Sequence, residues 1–146
     1  MKILFKPQTE WIPPTDFPDL RKYDEIAIDL ETKDPNLNER MGSGSVVGVG
    51  DVVGISLATH DWCAYYPIAH EGGGNMDRKM VLDWFQDQMR SDSTKIFHNA
   101  MYDVCWLRSL GIQINGQIVD TMIAASLIDE NRYRYDLNGI SRDYLG

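Results

Sequence analysis

The stretch Ile26-Ala27-Ile28-Asp29-Leu30-Glu31-Thr32 decides how the rest of the chain is read. Its first residues are apolar or β-branched and follow a charged lead-in, Tyr23-Asp24-Glu25, which predicts a buried central strand over 24–31. Strand side chains alternate between faces, so Asp29 and Glu31 point the same way. Two carboxylates on one face repel each other unless a positive charge sits between them. A hard divalent cation with oxygen ligands suits that place. An isolated Asp-x-Glu is also a common way for a strand to run out into solvent, so the pair alone leaves both readings open.

Around this stretch lie 146 residues, enough for one domain with a sizeable core. Hydrophobic residues make up 43% and charged ones 25%, the balance of a soluble globular chain rather than a disordered one. No apolar run is long enough to span a membrane, and Met1-Lys2-Ile3-Leu4-Phe5-Lys6-Pro7 lacks the apolar core of a signal peptide. Cys63 and Cys105 have no zinc-site spacing and suggest no disulfide framework. They read as small core residues in a reducing, cytoplasmic setting. The net charge of −8 argues against a protein that grips long nucleic acid through a basic face. It leaves room for an enzyme that cuts nucleic acid with metals held by carboxylates, because the metals invert the local charge.

Upstream, residues 1–22 read as an irregular lead-in broken by Pro13-Pro14 and Pro18, with Ile3-Leu4-Phe5 as a short edge strand. Downstream, 32–50 reads as a loop, with Met41-Gly42-Ser43-Gly44-Ser45 flexible by composition. Gly48-Val49-Gly50 does not complete a dinucleotide fingerprint: the next glycine is Gly54, and a strand follows. Asp51–Thr59 and Trp62–Ile68 predict a hairpin. His70 and Glu71 read as loop polars sooner than as a ligand pair. Asn75 is placed to cap a helix to Met89, with an apolar stripe of Val81, Trp84, Phe85 and Met89. A short strand over 94–98, a helix over 99–110 stopped by Gly111, a strand over 117–120 and a helix from Thr121 to Ile128 follow. Asp136 caps a last amphipathic segment. This order predicts an α/β domain with a mixed sheet.

Asn99 and Asp103 are four residues apart and share a helical face near its start. Ala100, Val104 and Leu107 give the neighbouring stripe that packs on the sheet. An Asp in a first turn also answers the helix dipole, so Asp103 alone carries little. Taken together, Ile28-Asp29-Leu30-Glu31-Thr32, a hairpin, Phe97-His98-Asn99-Ala100-Met101-Tyr102-Asp103, and Asp120-Thr121-Met122 resemble the DnaQ-like (DEDD) 3′–5′ exonuclease superfamily. Within it the chain is most similar to the proofreading domain of family A DNA polymerases, phage ones especially, with RNase D a close relative. The likeness runs from about residue 24 to Gly146.

The resemblance implies an RNase H-like fold: five strands, the second antiparallel to the others, with helices on both faces. It implies two-metal phosphodiester hydrolysis at a single-stranded DNA 3′ end, with two Mg2+ or Mn2+ ions about 4 Å apart. Asp29, Glu31 and Asp103 are then the catalytic and metal-ligating residues. Asn99, Tyr102 and Thr32 touch the substrate strand; the resemblance leaves His98 unassigned, and a hydrogen-bonded structural imidazole is the reading preferred over a base. The family's third motif, Tyr-x-x-x-Asp or His-x-x-x-x-Asp on a later helix, has no match beyond the second motif. The resemblance therefore implies a single exonuclease-like domain incomplete at its C-terminal end, attached in its parent chain to a polymerase domain. Such a piece binds metal weakly and cuts poorly unless another acid, Asp120 or Asp136 for instance, completes the site. The alternatives are an RNase D-like exoribonuclease and a non-catalytic RNase H-like scaffold.

Overall fold

In the computed structural model, which describes residues 11–37 and 42–146, the stretch around Asp29 is strand β1 (Glu25–Lys33). Ile26, Ile28 and Leu30 are buried on one face, and Asp29 and Glu31 are exposed on the other. The proposed edge strand at Ile3-Leu4-Phe5 lies outside the described residues. β1 pairs antiparallel with β2 (Asp51–Ala58), which turns back into β3 (Cys63–Pro67). On its other side β1 pairs in parallel with β4 (Thr94–Phe97), and β4 with β5 (Ile118–Asp120). The sheet order is β3-β2-β1-β4-β5, with β2 alone running against the rest. This is the five-stranded mixed sheet expected.

The β1–β2 ladder slips at one point. Glu31 faces Gly54, but Thr32 faces Val52, so Val53 is an extra residue on β2. A bulge of this kind bends the strand and re-aims its side chains. The Val53 carbonyl, released from the ladder, accepts from Ile68 N (2.8 Å) and Ala69 N (3.1 Å) and so ties down the loop after β3.

One face of the sheet is closed by α2 (Arg78–Met89) and α3 (Ala100–Ser109). Val81, Phe85 and Met89 from the first and Ala100, Trp106 and Leu107 from the second join Ile26, Ile28, Leu30, Ile55 and Tyr66 in one core. Burying side chains of this size contributes about 1.5–3 kcal/mol each. Lys95 of β4 is buried among them, its ammonium donating to the carbonyls of Ser91 and Ser93. The other face is bordered by the starts of α4 (Thr121–Ile128) and α5 (Leu137–Leu145).

Three local expectations are corrected. The glycine-serine stretch holds a short helix, α1 (Gly44–Val47), because the Asp34 carboxylate accepts Gly44 N–H and Ser43 caps it. Asp77, not Asn75, caps α2 by accepting Met80 N–H at 2.8 Å. Asn75 is spent on the backbone of His70. Cys63 is exposed and Cys105 half-buried; neither is a core residue, and both are free thiols. Cys63 opens edge strand β3 on the uncovered face. Among the described residues no helix is long and apolar enough to cross a membrane.

Candidate active site at the end of the central strand

β4 is shorter than β1. Their pairing stops at Ala27–Ile96, and the chain then turns at Asn99 into α3. Asn99 has φ 67° and ψ 57°, a left-handed conformation that no other non-glycine residue adopts among the described residues. Such conformations cost energy in residues other than glycine and cluster at functional sites. The turn sets the start of α3 where a longer β4 would have run. Leu30 N–H has no strand partner on that side and lies near the Asp103 carboxylate, favouring its ionised form.

Asp103 is 3% exposed. Burial and the neighbouring Asp29 charge push its carboxyl up to about 7, against the pull of the Leu30 N–H. Burial also raises Asp29, with the His98 ring acting in the opposite sense. Glu31 lies two residues further along the same face. The end of the central strand therefore sets Asp103, charged only at a cost, beside Asp29, with Glu31 further along the same strand face. This donor set is all hard oxygen, which fits Mg2+ or Mn2+ and not a thiolate-seeking metal. No group of three or more His, Cys, Asp or Glu among the described residues is already drawn close enough to hold an ion.

The same face opens into a cavity of about 610 Å3 whose lining includes Asp29, Ser56, Tyr65, Ile96 and His98. His98 Nε2 donates to the Tyr135 carbonyl (2.7 Å), and Nδ1 meets Thr121 Oγ1 (2.9 Å). Its ring is the hydrogen-bonded structural imidazole expected.

Thr32 and Tyr102 are brought together. The Tyr102 hydroxyl accepts from Thr32 Oγ1 (2.8 Å) and donates to Asp34 Oδ2 (3.0 Å). Asp34 also accepts from Asn36 N and Gly44 N, so it links β1, α1 and α3. The Asn99 side chain is exposed and makes no cap bond to α3. Asp120 does that work. Its carboxylate accepts from Asn99 N (3.1 Å), Ala100 N (2.8 Å) and Met122 N (2.9 Å), capping α3 and α4 together. Burial opposes its ionisation, but these N–H groups lower its pKa overall. Asp136 is likewise committed, capping α5 through Gly139 N. Both acids are engaged as helix caps, and Asp120 lies near enough to Asp103 for its charge to raise the Asp103 pKa. His70 and Glu71 separate, His70 bonding Tyr65 and Glu71 pairing with Lys33.

Sequence reasoning missed Asp34, Tyr65 and Gly54. Asp34 carried a signal, an acid before proline and a helix-forming turn. The other two become visible only through the β1–β2–β3 register.

A family model described as 3′–5′ exonuclease matches residues 17–146. The DNA polymerase DpoZ of Acinetobacter phage SH-Ab 15497 is 30% identical over 130 residues, covering 88% of this chain and 18% of the polymerase. A DNA-directed DNA polymerase of Pseudomonas phage M6 is 31% identical over 140 residues, covering 91% and 21%. The chain thus spans about a fifth of the length of these relatives. A solved structure of Brucella melitensis NrnC with bound Mg2+ superposes with a TM-score of 0.55 at 19% identity, over 92% of this chain and 59% of that one.

Proposed function

Because the chain belongs to the 3′–5′ exonuclease family, we propose that it is the proofreading exonuclease portion of a DNA polymerase, removing nucleotides from a single-stranded DNA 3′ end. The observation that carries this reading is buried Asp103 of α3 lying near enough to Asp29 of β1 to feel its charge, with Glu31 on the same face of β1 as Asp29. The phage polymerase relatives support a polymerase region in the same parent chain and a host cytoplasmic setting.

Asp29, Glu31 and Asp103 are the residues proposed to hold two divalent ions, Mg2+ or Mn2+. When bound, such ions stabilise the attacking and leaving oxygens of an in-line phosphodiester displacement. The chain's own part is to present the exposed carboxylates of Asp29 and Glu31 beside the buried Asp103. A cation held beside Asp29 would favour the ionised form of Asp103, whose proton is otherwise retained up to about pH 7. Thr32 and Tyr102 are proposed to contact the terminal nucleotide from the β1–α3 seam, and Asn99 the strand behind it. A frayed 3′ end suits this open site because little unpairing remains to be done.

The test is a 5′-labelled single-stranded DNA oligonucleotide incubated with excess protein and Mn2+. The expected result is slow, stepwise shortening from the 3′ end, abolished by chelator and by Asp29→Ala. An RNA oligonucleotide run beside it separates DNA proofreading from RNase D-like activity. Equal shortening by wild type and Asp29→Ala would overturn the proposal.

A further inference from the structure

On the face that carries Asp29 and Glu31, one side chain outside the carboxylate set is built into place. Register sets Glu31 opposite Gly54, and Ser56 opposite Tyr65. Tyr65 reaches along the sheet toward Gly54, the diagonal approach that long aromatic side chains make between strands. A Cβ on Gly54 would meet the Tyr65 hydroxyl oxygen at 1.9 Å and Cζ at 2.3 Å. Gly54 is not among the glycines with positive φ. The backbone therefore does not require glycine here; the phenol does.

The hydroxyl is held from behind. His70 Nε2 hydrogen-bonds it. The backbone of His70 is clamped by Asn75, whose Oδ1 accepts His70 N–H (2.7 Å) and whose Nδ2 donates to His70 O (2.8 Å). The loop leading to His70 is fixed by the bulge carbonyl of Val53. A bulge, a glycine, a side-chain clamp and an imidazole thus converge on one hydroxyl beside Glu31. If Nε2–H donates to the phenol oxygen, the phenol O–H is free to donate in turn.

We propose that Tyr65 is a positioning residue for Glu31: its O–H, oriented by His70, donates to the Glu31 carboxylate and fixes which oxygen faces a metal ion. This rests on the exonuclease reading above. The test titrates Mn2+ into the 146-residue chain and follows paramagnetic broadening of the amides of residues 29–32. Single-turnover cleavage of single-stranded DNA is measured alongside. Tyr65→Phe is expected to weaken the Mn2+ response and slow cleavage about tenfold each, the scale of one charge-assisted hydrogen bond. Half-saturation by DNA stays unchanged. Gly54→Ala, which displaces an intact tyrosine, is expected to reproduce the loss. A Tyr65→Phe chain that titrates and cuts like wild type overturns the role of Tyr65 while the exonuclease reading stands. A wild-type chain with no Mn2+ response at 29–32 overturns both.

Discussion

Asp103, buried in the first turn of α3, faces Asp29 of β1, and the Asp29 charge helps hold the Asp103 proton in place up to about pH 7. Two acids packed together in this way destabilise an empty fold. The arrangement makes sense where a cation is expected to join them.

The linkage has a definite sign. The Asp103 pKa rises from 3.8 to about 7 on folding, so between those values the folded chain keeps a proton that the unfolded chain has lost. Stability therefore falls as pH rises through this window, by up to about 4 kcal/mol above it. Asp103→Asn keeps an acceptor for Leu30 N–H without the charge. It is expected to unfold at higher urea than wild type at pH 8 and at nearly the same urea at pH 4. Added Mn2+ should stabilise wild type at pH 8 and leave the variant unmoved. A variant less stable than wild type at pH 8 without metal would contradict this.

Asp120 is expected to separate stability from chemistry. Asp120→Ala removes the shared cap of α3 and α4 and should cost about 2 kcal/mol in urea unfolding. Asp120→Asn, which keeps one acceptor oxygen, should recover part of that. Loss of the Mn2+ response without loss of stability would instead make Asp120 a ligand.

The fold was legible in the sequence where the signal is local. The alternation in 26–31 sets Asp29 and Glu31 on one face, and the spacing of Val81, Phe85 and Met89 marks the buried side of α2. What escaped depends on contacts distant in sequence. The Glu31–Gly54 pairing is set by a bulge that no periodicity reports. Asn75 and Asp77 are both competent caps, and the choice fell to Asp77 because His70 takes Asn75. Asp120 looked like a spare acid because nothing local says that two helix N-termini meet over it.

Tyr102 should behave as a substrate contact rather than a metal-site residue. Tyr102→Phe loses the bonds to Thr32 and Asp34 and should cost about 1 kcal/mol of stability. Half-saturation by single-stranded DNA should rise severalfold while the Mn2+ response at residues 29–32 stays as in wild type. An unchanged half-saturation would place Tyr102 outside the strand-binding surface.

The most direct test of the central claim is anomalous scattering from crystals of the chain soaked in millimolar Mn2+ at pH 8, where Asp103 ionises. A peak is expected within coordination distance of Asp29, with Glu31 and Asp103 drawn toward it, and none in Asp29→Ala crystals. A Mn2+ peak elsewhere, with the Asp29–Asp103 pair empty and unmoved, would contradict it.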